Sequence, residues 1–324
     1  MTLCESRPPF VHEGPTVRSM LGAVFFALCA LLVVPTVRYG PRPLTMACAS
    51  VLTCLVCEAL VGLFRAGSFG VADLSSAVTG MVCALLMPLN APLWLPCAAG
   101  AFAILLAKAP FGFFGRTPFN PAAAGVAFAS LCWPDLVFTF FDPAQPHVLP
   151  PFGACSFQTG ESAAAVLKNG LKPDILPLDM LWGGAAGPLG TGAALVIAAG
   201  ALMLFLTRSA HWEPTVFFLG AAALLAALFP RIACSPLTSV KYELLSGSLF
   251  FCAVFMVSNP VNEPRTAAGR CVYGALAGAL LMAFRHFGIY EQGAAFAVLM
   301  ADAAAPLIDS ADGRLRGWEG KTHG

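Results

Sequence analysis

Met20-Leu21-Gly22-Ala23-Val24-Phe25-Phe26-Ala27-Leu28-Cys29-Ala30-Leu31-Leu32-Val33-Val34-Pro35-Thr36-Val37 carries no charge, and Arg38 and Arg42 follow it. A helix rises 1.5 Å per residue, so about twenty apolar residues cross the ~30 Å hydrocarbon layer of a bilayer. The run starts too far into the chain for a cleavable leader, and its length suits a helix that stays in the membrane. It reads as a first transmembrane span.

The rest of the chain repeats the pattern. Of its 324 residues 58% are hydrophobic and 11% charged, with mean hydropathy +0.78, whereas a soluble domain is about 25% charged. This is the composition of a polytopic membrane protein whose main surroundings are the lipid bilayer. The net charge of +1 offers no basic field for nucleic acid, so DNA and RNA are excluded as partners. Ten segments read as candidate spans: 20–38, 44–64, 72–88, 92–109, 120–133, 181–207, 213–230, 246–258, 267–286 and 291–308. Within lipid the backbone must pair its own polar groups, so they are read as helices and the fold as all-α.

The sixth candidate contains Gly183-Gly184, Gly187-Pro188-Leu189-Gly190 and Thr191-Gly192. A continuous helix tolerates that density of Gly and Pro poorly, so the segment is expected to break, and broken spans tend to line a cavity or ligand. A loose internal repeat is also visible. Thr79-Gly80, an apolar run to Leu89-Asn90, a further span and Lys108-Ala109-Pro110-Phe111-Gly112 match Ser246-Gly247, a run to Ser258-Asn259-Pro260, a further span and Arg285-His286-Phe287-Gly288. Two halves of five spans are related by inversion, because an odd number of spans flips the second copy across the membrane. The chain therefore divides into an N-terminal segment 1–19, a first half 20–133, a polar loop 134–180, a second half 181–309 and a tail 310–324. With the N-terminus inside, the inner loops hold Arg7, Arg18, Arg65, Lys108, Arg116, Arg208, Arg265, Arg270, Arg314, Arg316 and Lys321. The outer loops hold Arg38, Arg42, Lys168, Lys172, Arg231, Lys241 and Arg285. The bias places both termini in the cytoplasm and the polar loop outside.

That loop is a hydrophilic window from about Asp135 to Asp179. Its centre reads Cys155-Ser156-Phe157-Gln158-Thr159-Gly160-Glu161-Ser162-Ala163-Ala164-Ala165-Val166-Leu167-Lys168, and Asn169-Gly170 stops the short helix. A hydroxyl-rich loop of this length between spans is more apt to hold something than merely to connect.

Charge within a span is costly, so Glu58 and Asp302 are candidates for an ion path, with Asp73 behind them. Asn120-Pro121 caps a span; capping accounts for both residues, and a helix N-terminus also draws anions and electronegative ring atoms. Gly274 and Gly278 form a GxxxG suited to close helix packing. Arg285 and His286 read as cations at a helix C-terminus. The twelve cysteines stand mostly alone in apolar spans and read as small packing residues. Cys54 and Cys57 form a CxxC without the second pair that a zinc site uses, while Cys132 and Cys155 flank the polar window. No Walker loop, GxSxG elbow or HExxH appears, so there is no catalytic set and no support for hydrolysis.

Several motifs together resemble the RnfD family, the D subunits of the Rnf electron-transport complexes, which is related to the B subunits of the sodium-pumping NADH:quinone oxidoreductases. They are Thr117-Pro118-Phe119-Asn120-Pro121-Ala122, Leu245-Ser246-Gly247 through Ser258-Asn259-Pro260-Val261, Gly269-Arg270 through Gly274, Arg285-His286-Phe287-Gly288-Ile289-Tyr290-Glu291-Gln292-Gly293 through Leu299, and Pro306-Leu307-Ile308-Asp309. The resemblance implies about ten helices in two inverted halves within the inner cell membrane. It implies FMN esterified through its phosphate to a Ser/Thr-Gly-Ala-Thr hydroxyl by a separate flavin transferase. The matching residues are Thr159-Gly160-Glu161-Ser162, with Ser162 as acceptor, Thr159 and Gly160 beside it and Lys168 as a compensating cation. It leaves room for a second, noncovalent flavin and implies partner redox and membrane subunits, especially the flavin-bearing RnfG. Electron exchange between ferredoxin and NAD would then be coupled to Na⁺ or H⁺ movement by the assembled translocase, not by this chain alone. The sequence departs from the family pattern at Glu161, where a small residue is usual, at Asn259 for Asp, and at Thr191 for Glu. At an effective dielectric near 20, like charges about 6 Å apart repel by roughly 3 kcal/mol, so Glu161 beside a phosphate matters. Inverted halves and broken helices also suit a flavin-free channel or secondary transporter for a small polar solute.

Overall fold

The computed structural model describes residues 16–66, 74–111, 117–143, 150–152, 159–232, 234–290 and 292–322. Asp73, Cys155 and the first residues of the window's centre lie outside them. Helix α1 (Val17–Tyr39) starts at Thr16, whose hydroxyl caps Ser19 N, and α2 (Arg42–Ala66) follows after one turn. Next come α3 (Leu74–Leu85) and α4 (Trp94–Phe102), the latter continuing as a π-turn to Lys108 and a 3₁₀ turn to Phe111. Helix α5 (Pro121–Cys132) and the short α6 (Pro134–Val137) lead into the window. There β1 (Phe140–Phe141) pairs antiparallel with β2 (Thr159–Gly160), and α7 (Ala163–Lys168) and α8 (Pro177–Leu181) follow. The remainder comprises α9 (Ala194–Leu206), α10 (Trp212–Leu228), α11 (Pro236–Leu245), α12 (Leu249–Cys252) with a π-turn to Val257, α13 (Ala267–Phe287) and α14 (Ala294–Thr322).

Among the described residues five helices are long and apolar enough to cross a membrane: Val17–Tyr39, Arg42–Phe64, Trp94–Phe111, Ala267–Phe287 and Ala294–Gly313. The pair Pro236–Leu245 and Leu249–Val257, bent by 66°, makes a sixth if it is one broken span. The protein is thus a multi-pass membrane protein. Every one of the ten expected segments contains a helix, but Leu74–Leu85, Pro121–Cys132, Ala194–Leu206 and Trp212–Leu228 are too short to be spans by length alone. The sequence reading missed α11 entirely. Its Lys241 and Glu243 gave it the look of a loop, yet Tyr242 and Glu243 are buried.

The break expected in the sixth segment is present. Residues 182–193 are irregular apart from a 3₁₀ turn at Leu189–Thr191, and only Ala194–Leu206 is α-helical. Freed backbone groups in lipid must find partners. Arg38 Nη1 donates to the Gly183 carbonyl and, at 3.3 Å, to that of Trp182, while Leu189 N donates to Met87 O at 3.1 Å. Gly183 has φ +91°, a left-handed conformation that a side chain would strain.

Helix α10 lies against α13 because Gly274 and Gly278 leave room: a Cβ at either would collide with the carbonyl oxygen of Pro214 or Phe218. The GxxxG is a packing face, as expected. The loop cations need correction. Arg42, Lys108 and Arg285 are buried, so they are interior contacts rather than the loop charges on which the orientation count drew. Arg42 donates to Leu89 O at 3.0 Å and Ala91 O at 3.2 Å, tying the turn between α3 and α4.

Candidate functional site

Helix α5 begins in the interior, where each polar group at its first turn needs a partner. Pro121 occupies the first helical position and has no N–H to satisfy. The Asn120 side chain accepts from Ala122 N at 3.1 Å and donates from Nδ2 to Met256 O at 3.3 Å, on the π-turn after α12. The Asn120 N–H goes to Asp302 Oδ2 on α14 at 2.7 Å, and Tyr273 on α13 donates its hydroxyl to Asp302 Oδ1 at 2.6 Å. Asp302 is 1% exposed, and both its oxygens are engaged.

A second buried charge lies on the π-turn that continues α4. Lys108 Nζ contacts Glu58 Oε1 at 2.5 Å, Ser75 Oγ at 2.7 Å and Ser76 Oγ at 2.8 Å, so three helices converge on one ammonium. An ammonium has three protons to donate, and here each has an acceptor.

Between these groups lies a cavity of about 380 Å³. Lys108, Ser75, Thr117, Asn120, Ser258, Asn259 and Asn262 supply polar lining, while Met20, Val24, Val254 and Phe255 supply apolar wall. Its volume lies in the range of small-molecule sites, as does the mix of apolar wall and a few polar groups. Asn262 Nδ2 donates to Thr117 O at 3.4 Å, whereas its buried Oδ1 has no partner among the described residues. The loop carrying Asn259 and Asn262 is held by the pairing of His211 Nδ1 with Glu263 Oε1 and by Arg265 N donating to Asp309 Oδ1 at 3.1 Å. Burial pushes the Glu263 carboxyl above the usual carboxylate range, although His211 and Arg270 pull it down.

The polar window forms a separate site. Ser162 caps α7 by accepting from Ala165 N at 3.0 Å and is only 2% exposed, while Thr159 and Glu161 beside it are exposed. Lys168 donates to the Ile289 carbonyl on the turn before α14, so it ties the window to the bundle. Helix α7 packs on α11 through Ala163, Leu167, Ile232 and Tyr242. Nearby, Arg285 is no simple C-terminal cation. It donates to Glu243 Oε2 at 2.9 Å and Ser246 O at 2.7 Å, while Arg231 Nε donates to Glu243 Oε1 at 2.6 Å.

The NQR2, RnfD, RnfE family model matches residues 4–314. The chain belongs to this family. The D subunit of the ion-translocating oxidoreductase complex of Tolumonas auensis is 30% identical over 331 residues, covering 93% of this chain and 95% of that protein. The protein of the same description from Salmonella dublin is 31% identical over 332 residues, covering 93% and 94%.

In this NQR2, RnfD, RnfE family member Asn120 and Lys108 line one cavity, while Asp302 and Glu58 are off its wall, each bonded to one of these two residues. The structure leaves Thr159, Gly160, Ser162 and Lys168 in the window, and neither Thr159 nor Ser162 lines the cavity. Sequence reasoning overlooked Lys108, Tyr273 and the Arg285–Glu243–Arg231 cluster. For Lys108 a signal was present: a lone cation and a lone anion, Glu58, both sit within apolar runs, and such charges pair.

Proposed function

We propose that the chain is the flavin-carrying membrane subunit of an Rnf-type complex that couples electron transfer to Na⁺ or H⁺ movement across the inner membrane. Its likeness to the D subunits of ion-translocating oxidoreductase complexes, over nearly the whole of both chains, carries this reading. The partners are the other redox and membrane subunits, RnfG among them, and a flavin transferase matures the chain. Both termini lie in the cytoplasm. The ten spans form two inverted halves, with α11 and α12 as one broken span. In support, α2 packs on α4 as α10 does on α13, α4 on α5 as α13 on α14, and α1 on α3 as α9 on α12.

The flavin supplies one-electron chemistry when bound, and the protein fixes its place and surroundings. Ser162 provides the hydroxyl that a phosphoester needs, and an ester oxygen keeps a lone pair for Ala165 N. The chemistry of the acceptor fits, but its burial means that Thr159 to Ser162 must lift for a transferase to reach it. Thr159 and Gly160, paired with Phe141 and Phe140, form the strand that would move. The cavity at Asn120 suits a second, noncovalent flavin, whose ring carbonyls and N–H match amide donors and Asn262 Oδ1, which has no partner among the described residues.

In-gel flavin fluorescence of the denatured chain, co-expressed with a flavin transferase, tests the attachment. Wild type and Thr159→Ala are expected to fluoresce, Ser162→Ala to be dark, and the modified peptide to map within 151–172. A dark wild type would refute the covalent flavin, and a fluorescent Ser162→Ala would refute this acceptor.

A further inference from the structure

We propose that Asp302 is a positioning residue that holds Asn120 at the wall of the inner cavity, and not a carboxylate to which translocated ions bind. The inference rests on reading that cavity as a ligand site.

Asn120 is the first residue of a helix that begins in the interior, and it is itself buried. Its amide N–H points out of the helix and has no partner in its own segment. Asp302 Oδ2 accepts that proton at 2.7 Å from a helix 182 positions along the chain. Tyr273 holds the other carboxylate oxygen at 2.6 Å, which fixes the orientation of the group. With the backbone of Asn120 clamped, its side chain is set by Ala122 N and Met256 O. One amide proton and one oxygen lone pair then remain for the cavity. Asp302 does not line the cavity, so it acts on a ligand only through Asn120. Each Asp302 oxygen accepts a protein hydrogen bond, and the carboxylate is 1% exposed and off the cavity wall, so an ion in the cavity meets Asn120 and not Asp302.

Substitutions separate the two roles. An asparagine at 302 can accept from Asn120 N with its oxygen and donate to the Tyr273 hydroxyl with its amide, so it preserves the clamp without the charge. The test uses the purified full chain in detergent with FMN as probe, reading affinity from flavin fluorescence and the exchange rate of the Asn120 amide from deuterium uptake of the peptide spanning 117–124. Asp302→Ala is expected to weaken FMN binding by about tenfold and to speed exchange. Asn120→Ala is expected to weaken binding as much, with no further loss in the double variant. Asp302→Asn is expected to stay close to wild type in both readouts. The proposal is overturned if Asp302→Asn loses as much as Asp302→Ala, because then the charge itself is required. It is also overturned if Asp302→Ala leaves exchange at Asn120 unchanged. If the wild-type chain binds no FMN, the cavity reading falls by itself, and the exchange of Asn120 in the Asn and Ala variants still decides the role of Asp302.

Discussion

Lys108 and Glu58 form a buried ion pair, Nζ to Oε1 2.5 Å, between two helices of the same half of the chain. Breaking a buried pair leaves a charge without compensation, which costs about 3–5 kcal/mol, whereas replacing both members by apolar groups is often neutral. Glu58→Leu and Lys108→Met are each expected to lower the melting temperature strongly, and the double variant to recover most of the loss. Thermal melts of the three variants check this. Additive losses would show that the two groups act independently, as an ion path through Glu58 alone requires.

The close approach of α10 and α13 depends on bare backbone at Gly274 and Gly278, where a Cβ would meet carbonyl oxygens of the partner helix. Overpacking a tight contact costs about 1–3 kcal/mol. Gly274→Leu and Gly278→Leu are expected to reduce the amount of folded, monodisperse chain recovered in detergent, seen by size-exclusion chromatography. Gly220→Ala on α10, where an added Cβ meets nothing within 4 Å, serves as the neutral control.

Glu161 stands next to the proposed acceptor and is exposed. Water and salt screen exposed charges, so its repulsion of a phosphate falls from the roughly 3 kcal/mol of a poorly screened pair to below about 1 kcal/mol. Glu161→Ala is expected to raise the flavinylated fraction modestly at low salt, with the gain fading as salt is added. Intact mass spectrometry gives the fraction directly, and a large salt-independent gain would mean that Glu161 obstructs the transferase by its bulk.

Glu263 has a raised carboxyl pKa in the folded chain because it is buried. Such a group contributes stability that is complete below the unfolded carboxylate value and is lost as pH rises through the folded value. Arg270 faces it with positive charge, Glu213 with negative charge and His211 with its imidazole, and all three remain in Glu263→Gln. Wild type and variant are expected to melt at closely similar temperatures in acid. The variant should gain on wild type as pH rises past the carboxylate range. A gap that is constant from about pH 4 to pH 8 would show that Glu263 does not titrate across this window.

Hydropathy alone showed a multi-pass helical membrane protein, because the cost of exposing polar backbone to lipid is paid segment by segment. The Gly-rich break near residue 187, the cap at Asn120 and the packing face at Gly274 and Gly278 were legible for the same reason: each is a property of neighbours along one helix. Partners distant in sequence were not. Lys108 and Arg285 passed for charges at span ends until packing placed them against Glu58 and Glu243. Helix α11 was hidden because its buried Glu243 is tolerable only beside Arg231 and Arg285. Ser162 was recognisable as a hydroxyl in the right motif, but its burial under its own helix cap was not. The sequence determined that the chain is a multi-pass helical membrane protein and which polar groups its apolar segments must accommodate. Only the tertiary structure decided which of those groups meet, because the cost of burying a charge or an amide is local while the partner that offsets it is chosen by packing.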